Sequence, residues 1–160
     1  MKGSMRTMAK PVWYAILATA MTIALAATGP AAAQSGVRSP KDAAEVFMAA
    51  TAAGDAEGIA ALYAPDALML VPGLAPISGR DAIKAVFMRN FSLGRNGMAF
   101  SRVVADTGSD RAAVYWEWTS EIVAASGAVQ KSNGRSVVYF RKDGDNWMIS
   151  ADMMQVVPAR

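Results

Sequence analysis

The sequence predicts an α+β domain, with helices laid on one face of a curved antiparallel sheet. Two observations carry that expectation. Between residues 40 and 90, apolar side chains recur at helical spacing. From residue 98 onward, apolar and polar residues alternate in four runs separated by short turns. Because the helices come first and the strands last, the strands should form a meander rather than βαβ units.

Ser39-Pro40-Lys41-Asp42 reads as a helix start. Ser can cap, Pro suits the first turn, and an acid there suits the helix dipole. Ala44, Phe47, Met48 and Thr51 then share a face, and Gly54-Asp55 ends the helix. A second helix is expected over 56–63, with Ile59, Leu62 and Tyr63 inward and Pro65-Asp66 closing it. Residues 67–71 read as a short strand, followed by a loop with Pro72, Gly73 and Pro76 at the mouth of any pocket. Ser78-Gly79-Arg80-Asp81 fits a capping box, so Arg80 and Asp81 should serve the entrance of a third helix. That helix runs to about Asn90 with Ile83, Val86 and Phe87 on one face.

The four strands are expected over 98–105, 112–123, 129–141 and 147–157. In the second, Val114, Trp116, Trp118 and Ser120 face inward, and Tyr115, Glu117, Thr119 and Glu121 outward. In the third, Ser136, Val138 and Phe140 face inward, which puts Arg135 and Arg141 across from Glu117 and Glu121 as ion pairs. In the last, unbroken alternation puts Trp147, Ile149, Ala151, Met153 and Gln155 inward and Asp152 outward.

Composition narrows the chemistry. There is no His and no Cys among the 160 residues. Ser–His–Asp triads, thiolate nucleophiles, disulfides and His- or Cys-ligated metals are therefore excluded. Acid–base work must fall to Asp, Glu, Lys or Tyr, and neither a cofactor nor a metal is expected. The net charge of +3 comes from Lys2, Arg6 and Lys10, and no acidic residue precedes Asp42. With residues 1–33 set aside the chain is formally neutral, so no nucleic-acid footprint is indicated.

Residues 1–33 read as a secretory signal: a basic start, an apolar run over 12–27, a Gly29-Pro30 break and Ala31-Ala32-Ala33 before Gln34. The 16-residue run is short of the roughly 20 residues that span a bilayer. The expectation is therefore a cleaved signal and a periplasmic or secreted domain, with no membrane attachment after cleavage. Residues 34–39 should be a flexible lead-in to one domain over 40–160.

The stretches AATAAGDAEGIAALYAPDALML, PISGRDAIKAVF and YFRKDGDNWMISADMM carry a family pattern. They resemble the nuclear-transport-factor-2-like superfamily, closest to its SnoaL-like and ketosteroid-isomerase-like branches. The resemblance implies a cone-shaped domain with a pocket between the concave sheet face and the helices, and a homodimer through the convex face. Steroid isomerases of this fold use a Tyr and two Asp. Those positions correspond here to Phe47, Val71 and about Val138, so isomerisation by that mechanism is not expected. Scytalone-dehydratase-like catalysis needs a His that is missing. A limonene-epoxide-hydrolase-like set of two Asp and one Arg cannot be assembled on the inward face. SnoaL-like cyclases use an acid–base group near the last strand, where Asp152 is the nearest carboxylate.

The candidate ligand-binding residues are Tyr63, Met69, Trp116, Trp118, Ser136 and Gln155, with Asp152 the weak catalytic candidate. Core packing competes as the role of the Trp and Met residues, and structural hydrogen bonding as that of Tyr63 and Ser136. Three functions follow. The first is an exported module binding a small hydrophobic molecule. The second is a lyase, isomerase or cyclase using Asp152 or Tyr63. The third is a dimerising interaction domain without substrate. An inward carboxylate would favour the enzyme, a deep pocket without one the binding module, and a filled cone the interaction domain.

Overall fold

The computed structural model describes residues 35–157. The signal-like segment and its cleavage site lie outside the described residues. A 3-10 turn, Pro40–Asp42, leads into α1 (Ala43–Ala53) and α2 (Ala56–Ala60). Then come β1 (Tyr63–Leu70), β2 (Ile77–Ser78) and α3 (Arg80–Ser92). Four long strands finish the chain: β3 (Arg95–Thr107), β4 (Arg111–Val123), β5 (Val129–Asp143) and β6 (Asn146–Val157). The sheet order is β2-β1-β6-β5-β4-β3, with β1 parallel to β6 and every other pair antiparallel. This is the expected α+β arrangement, a helical layer over a curved six-stranded sheet.

The helices begin and end for local reasons. Gly54 takes φ 68°, and its N–H bonds back to the end of α1. The Asp55 carboxylate then accepts the Gly58 N–H at 2.8 Å and caps α2. Ala44, Phe47, Ala50 and Thr51 of α1 are buried, as are Ile59 of α2 and Ile83 of α3. The core joins these to Tyr63, Met69, Val114, Trp116, Val138, Phe140 and Ile149.

Five local expectations are corrected. The expected lead-in is not free over its described residues, 35–39: Val37 is buried and bridges Trp147. The second helix stops at Ala60, and Tyr63 opens β1 instead of closing a helix. No capping box forms at α3. Gly79 is the N-cap with φ 88°, and Ser78 pairs with Leu68 in the sheet. Arg80 instead donates its Nε to the Tyr63 carbonyl at 2.7 Å, which ties α3 to the start of β1. On the outer face Glu117 does lie opposite Arg135, but Glu117 accepts from the Tyr115 hydroxyl at 2.8 Å. Glu121 pairs with Lys131 at 3.1 Å, and Arg141 bonds Asp66 at 3.0 Å.

The fifth correction decides the site. β6 carries one extra residue, at Ser150: Tyr139 pairs with Ala151, yet Phe140 pairs with Ile149. A bulge of this kind shifts the alternation by one residue, so inward and outward exchange beyond it. Trp147 and Ile149 are buried as expected, but after Ser150 the inward residues are Asp152 and Met154. Ala151, Met153 and Gln155 turn to the outer face.

Candidate active site

A cavity of about 160 Å³ lies between the helices and the concave sheet. Phe47 and Thr51 reach it from α1, and Phe87, Asn90 and Phe91 from α3. Trp116, Trp118, Ser136, Asp152 and Met154 come from β4, β5 and β6. The deep residues Phe47, Thr51, Trp116, Trp118, Ser136 and Asp152 are all buried. Among the half-buried lining residues are Asn90 and Phe91 of α3, Asn96 of β3 and Ile122 of β4. The loop at Gly73–Pro76, expected at the mouth, takes no part in the lining.

The walls are aromatic. Phe47 meets Phe87, Phe100 and Trp116 edge to face, with ring centres 5.4, 6.2 and 6.0 Å apart. Phe100 and Trp116 are 5.0 Å apart. Such contacts follow the ring quadrupole and hold the rings in place. Trp118 lies over Gly134, its partner on β5. A Cβ on Gly134 would collide with the indole. The Trp118 Nε1 donates to Ser136 Oγ at 3.1 Å, which fixes the ring's tilt.

Asp152 is the group of chemical interest. It is 3% exposed, with Val138 opposite it on β5 and Met69 opposite it on β1. Those apolar neighbours cannot solvate a charge. The Tyr63 hydroxyl donates to Asp152 Oδ2 at 2.9 Å, wholly buried. Burial pushes the Asp152 carboxyl up to about 6, against the opposing pull of the Tyr63 and Ser136 hydroxyls. Oδ1 is buried without a hydrogen-bond partner of its own: Ser136 favours the charge, but its geometry falls short of a bond. Burial, then the neighbouring Asp152 charge, hold the Tyr63 phenol well above its ordinary range, so Tyr63 remains a donor.

The structure brings three of the candidate ligand residues to the cavity wall: Trp116, Trp118 and Ser136. Tyr63 stands behind the wall and acts on it through Asp152. Met69 is core, 1% exposed, beside Asp152. Gln155 is overturned as an inward residue: it is exposed and accepts the Arg135 Nε at 2.6 Å on the outer face. Asp152 is overturned in the opposite sense, outward by alternation but inward in the fold. Val138, near the position that the resemblance matched to an isomerase Asp, is directly opposite it. The signal available in the sequence was that Asp152 is the one charged residue over 146–157. Thr51 and the α3 end of the cavity were not anticipated as site residues.

Fold and cavity together define a class: an α+β cone enclosing an aromatic cavity with a buried carboxylate on its wall. The family model of the SnoaL-like domain matches residues 44–147, more than half of the sequence, and the chain belongs to that family. No curated protein matches it. Among solved structures it is similar to a nuclear-transport-factor-2-like protein with a cystatin-like fold from Novosphingobium aromaticivorans. Identity is 18% and the TM-score 0.65, with 75% of this chain and 80% of that one covered. A proposed aromatic ring hydroxylase from the same organism gives 18% identity, TM-score 0.67 and coverage of 74% and 86%. A proposed dehydratase of the same superfamily from Streptomyces avermitilis gives 18%, 0.64, 73% and 93%. At these identities the likeness is one of fold.

Proposed function

We propose that this SnoaL-like domain is an enzyme moving a proton on a small hydrophobic substrate, in a lyase, isomerase or cyclase reaction. The carrying observation is the buried Asp152 carboxylate on the cavity wall, hydrogen-bonded by Tyr63. A pocket meant only to hold an apolar molecule gains nothing from a buried charge, which costs stability. A base whose carboxyl has been raised to about 6 is still ionised at neutral pH and is stronger than an ordinary carboxylate. Asp152 would take a proton from carbon or oxygen of the substrate and return it elsewhere, while Tyr63 holds the carboxylate and stays protonated. The aromatic walls would exclude water.

Hydrogen exchange tests this reading. The protein is incubated in deuterated water with one-ring ketones, 1,3-diketones and lactones, and loss of α-hydrogen is followed by NMR. We expect exchange above buffer that rises with pH through about 6 and falls by roughly 10²–10⁴-fold in Asp152→Asn, the usual worth of a general base. No exchange across the panel, or exchange undiminished in the variant, contradicts it.

We further propose export and self-association. The apolar run before Ala31-Ala32-Ala33 supports cleavage near Gln34, checked by N-terminal sequencing of exported protein. The outer sheet face supports a homodimer. Val104, Tyr115, Val137 and Met153 stand in one row across four strands, and Val104, Val137 and Met153 are exposed. The adjoining row is Arg102, Glu117, Arg135 and Gln155, so the face offers an apolar strip and a mixed-charge strip, each able to meet its own copy across a two-fold axis.

A further inference from the structure

The inward face of a strand, or of a helix covering a sheet, ordinarily carries apolar side chains. Around the cavity three half-buried polar residues break that pattern: Asn90, Asn96 and Ser120. The pairing of β4 with β5 is unbroken from Arg111 to Val123, so Ser120 shares the inward face of Trp116 and Trp118. Phe100, Met98 and Asn96 of β3 stand opposite Trp118, Ser120 and Ile122, which puts Asn96 on the same face. On α3, Ile83, Phe87, Asn90 and Phe91 recur at helical spacing, and the last three line the cavity.

The three also stand together. The Asn96 side-chain amide donates to the carbonyls of Asn90 and Gly94, at 3.2 and 2.7 Å, and ties β3 to the end of α3. Two carbonyl partners fix which end of that amide is nitrogen, so Oδ1 remains free to accept. Ser120 is the diagonal cross-strand neighbour of Asn96, at a separation of roughly 7–8 Å. Among the described residues no partner is found for the Asn90 amide or the Ser120 hydroxyl. Polar residues set against the local pattern, with no structural bond to account for them, are expected where a site is built.

We infer that Asn90 and Ser120, with Asn96 Oδ1, are specificity-determining groups that bind the hydroxyl or carboxamide of a neutral, one-ring ligand. The Asn90 amide and the Ser120 hydroxyl can each donate and accept, while Asn96 Oδ1 can only accept. A ligand group that donates as well as accepts satisfies more of them than an ether oxygen can. Size follows from the cavity's 160 Å³, close to the roughly 150 Å³ of a cavity known to hold benzene. Charge follows from the lining: Asp152 is its one ionisable residue and neither Lys nor Arg is among the described residues that form it. The inference rests on the proposed reading only in taking the cavity as the substrate site, and not on Asp152 performing chemistry.

The probes are benzyl alcohol, its isomer anisole, which keeps the oxygen but cannot donate, and ethylbenzene, which replaces the hydroxyl by a methyl group. The benzoate and benzylammonium ions complete the series, and affinities are measured by titration calorimetry. A plain apolar cavity would prefer ethylbenzene, because burying an unpartnered hydroxyl costs free energy. We expect benzyl alcohol to bind tightest. In the double variant Asn90→Leu with Ser120→Ala its affinity should fall about tenfold, one hydrogen bond's worth, with ethylbenzene within about twofold of its original value. Since neither side chain bonds within the protein, the melting temperature should hold. A role in packing alone would move all probes together. In the unaltered protein the Asn90 side-chain amide signals should shift further with benzyl alcohol than with ethylbenzene, which decides the matter even if the double variant fails to fold.

Tightest binding of ethylbenzene or anisole, no binding of any probe at millimolar concentration, or an alcohol affinity undiminished in the double variant overturns the inference and leaves these groups to water. Tightest binding of either ion also overturns it; for the ammonium ion it would point to a cation held by the aromatic rings. The two proposals fail separately. An alcohol preference without any hydrogen exchange sinks the proton-transfer reading alone. Exchange that is lost in Asp152→Asn, in a protein with no alcohol preference, sinks the specificity role alone.

Discussion

Asp152 holds a charge that its surroundings oppose. Its carboxyl sits at about 6 in the fold, because burial raises it, against about 4 for an ordinary Asp. The folded state therefore binds the proton more tightly than the unfolded chain between those values. The stabilising effect of that proton is fully present below pH 4 and is lost as pH rises through about 6. At neutral pH the penalty is on the order of 2–3 kcal/mol. Asp152→Asn should accordingly raise the melting temperature at pH 7 by several degrees and flatten the Asp152-linked change between pH 4 and 6. Calorimetry across that range checks it, and an unchanged pH profile would count against the burial of the charge. Tyr63→Phe removes a hydrogen bond that favours the carboxylate. The acid limb of any pH–rate profile should then move to higher pH; a limb that stays in place would show that Tyr63 does not tune Asp152. At this scale the sequence was legible where side chains stand in regular strands. Trp116, Trp118 and Ser136 face the cavity as their alternation predicted. Gln155 and Asp152 were misread for one shared reason, a single extra residue upstream of both.

That extra residue belongs to β6, and the strand shows what sequence pattern cannot reveal. Its near-continuous apolar run gives alternation little contrast, and the bulge has no Gly or Pro to mark it. The bulge falls where β6 is paired on both sides, with β5 and with parallel β1, and the β1 register is broken in the same region, between Tyr63 and Leu68. No local sequence rule contains that parallel pairing. The capping box failed similarly, since sheet pairing claimed Ser78. The four long strands were legible because each alternates over many residues between clear turns. Gly134 illustrates an element-scale requirement. Its missing Cβ lets the Trp118 indole lie flat on β5. Gly134→Ala should cost about 1–3 kcal/mol, the range for overpacking, and weaken cavity ligands by displacing Trp118. Chemical denaturation and probe titration check both effects, and an unperturbed stability would mean the indole has room to move.

For the whole molecule, helix-then-meander order and the family stretches were enough to anticipate the cone and its pocket, while the pocket's mouth was not. Sequence placed it at the Gly73–Pro76 loop. In the fold the lining comes from α1, α3 and β3 to β6, and the 73–76 loop contributes nothing to it. The outer face carries the proposed dimer. Val137→Glu together with Met153→Glu would set four like charges into a two-fold interface and should give a monomer. Sedimentation at tens of micromolar checks it, a range in which an interface of standard size holds; a monomer before mutation would refute the dimer. The most direct test of the central claim, that Asp152 is a buried carboxylate poised for proton transfer, is its own titration. The carboxyl carbon of Asp152 is followed by NMR in ¹³C-aspartate-labelled protein and assigned through Asp152→Asn. We expect a midpoint near 6. A midpoint near the ordinary value of about 4 would contradict the claim.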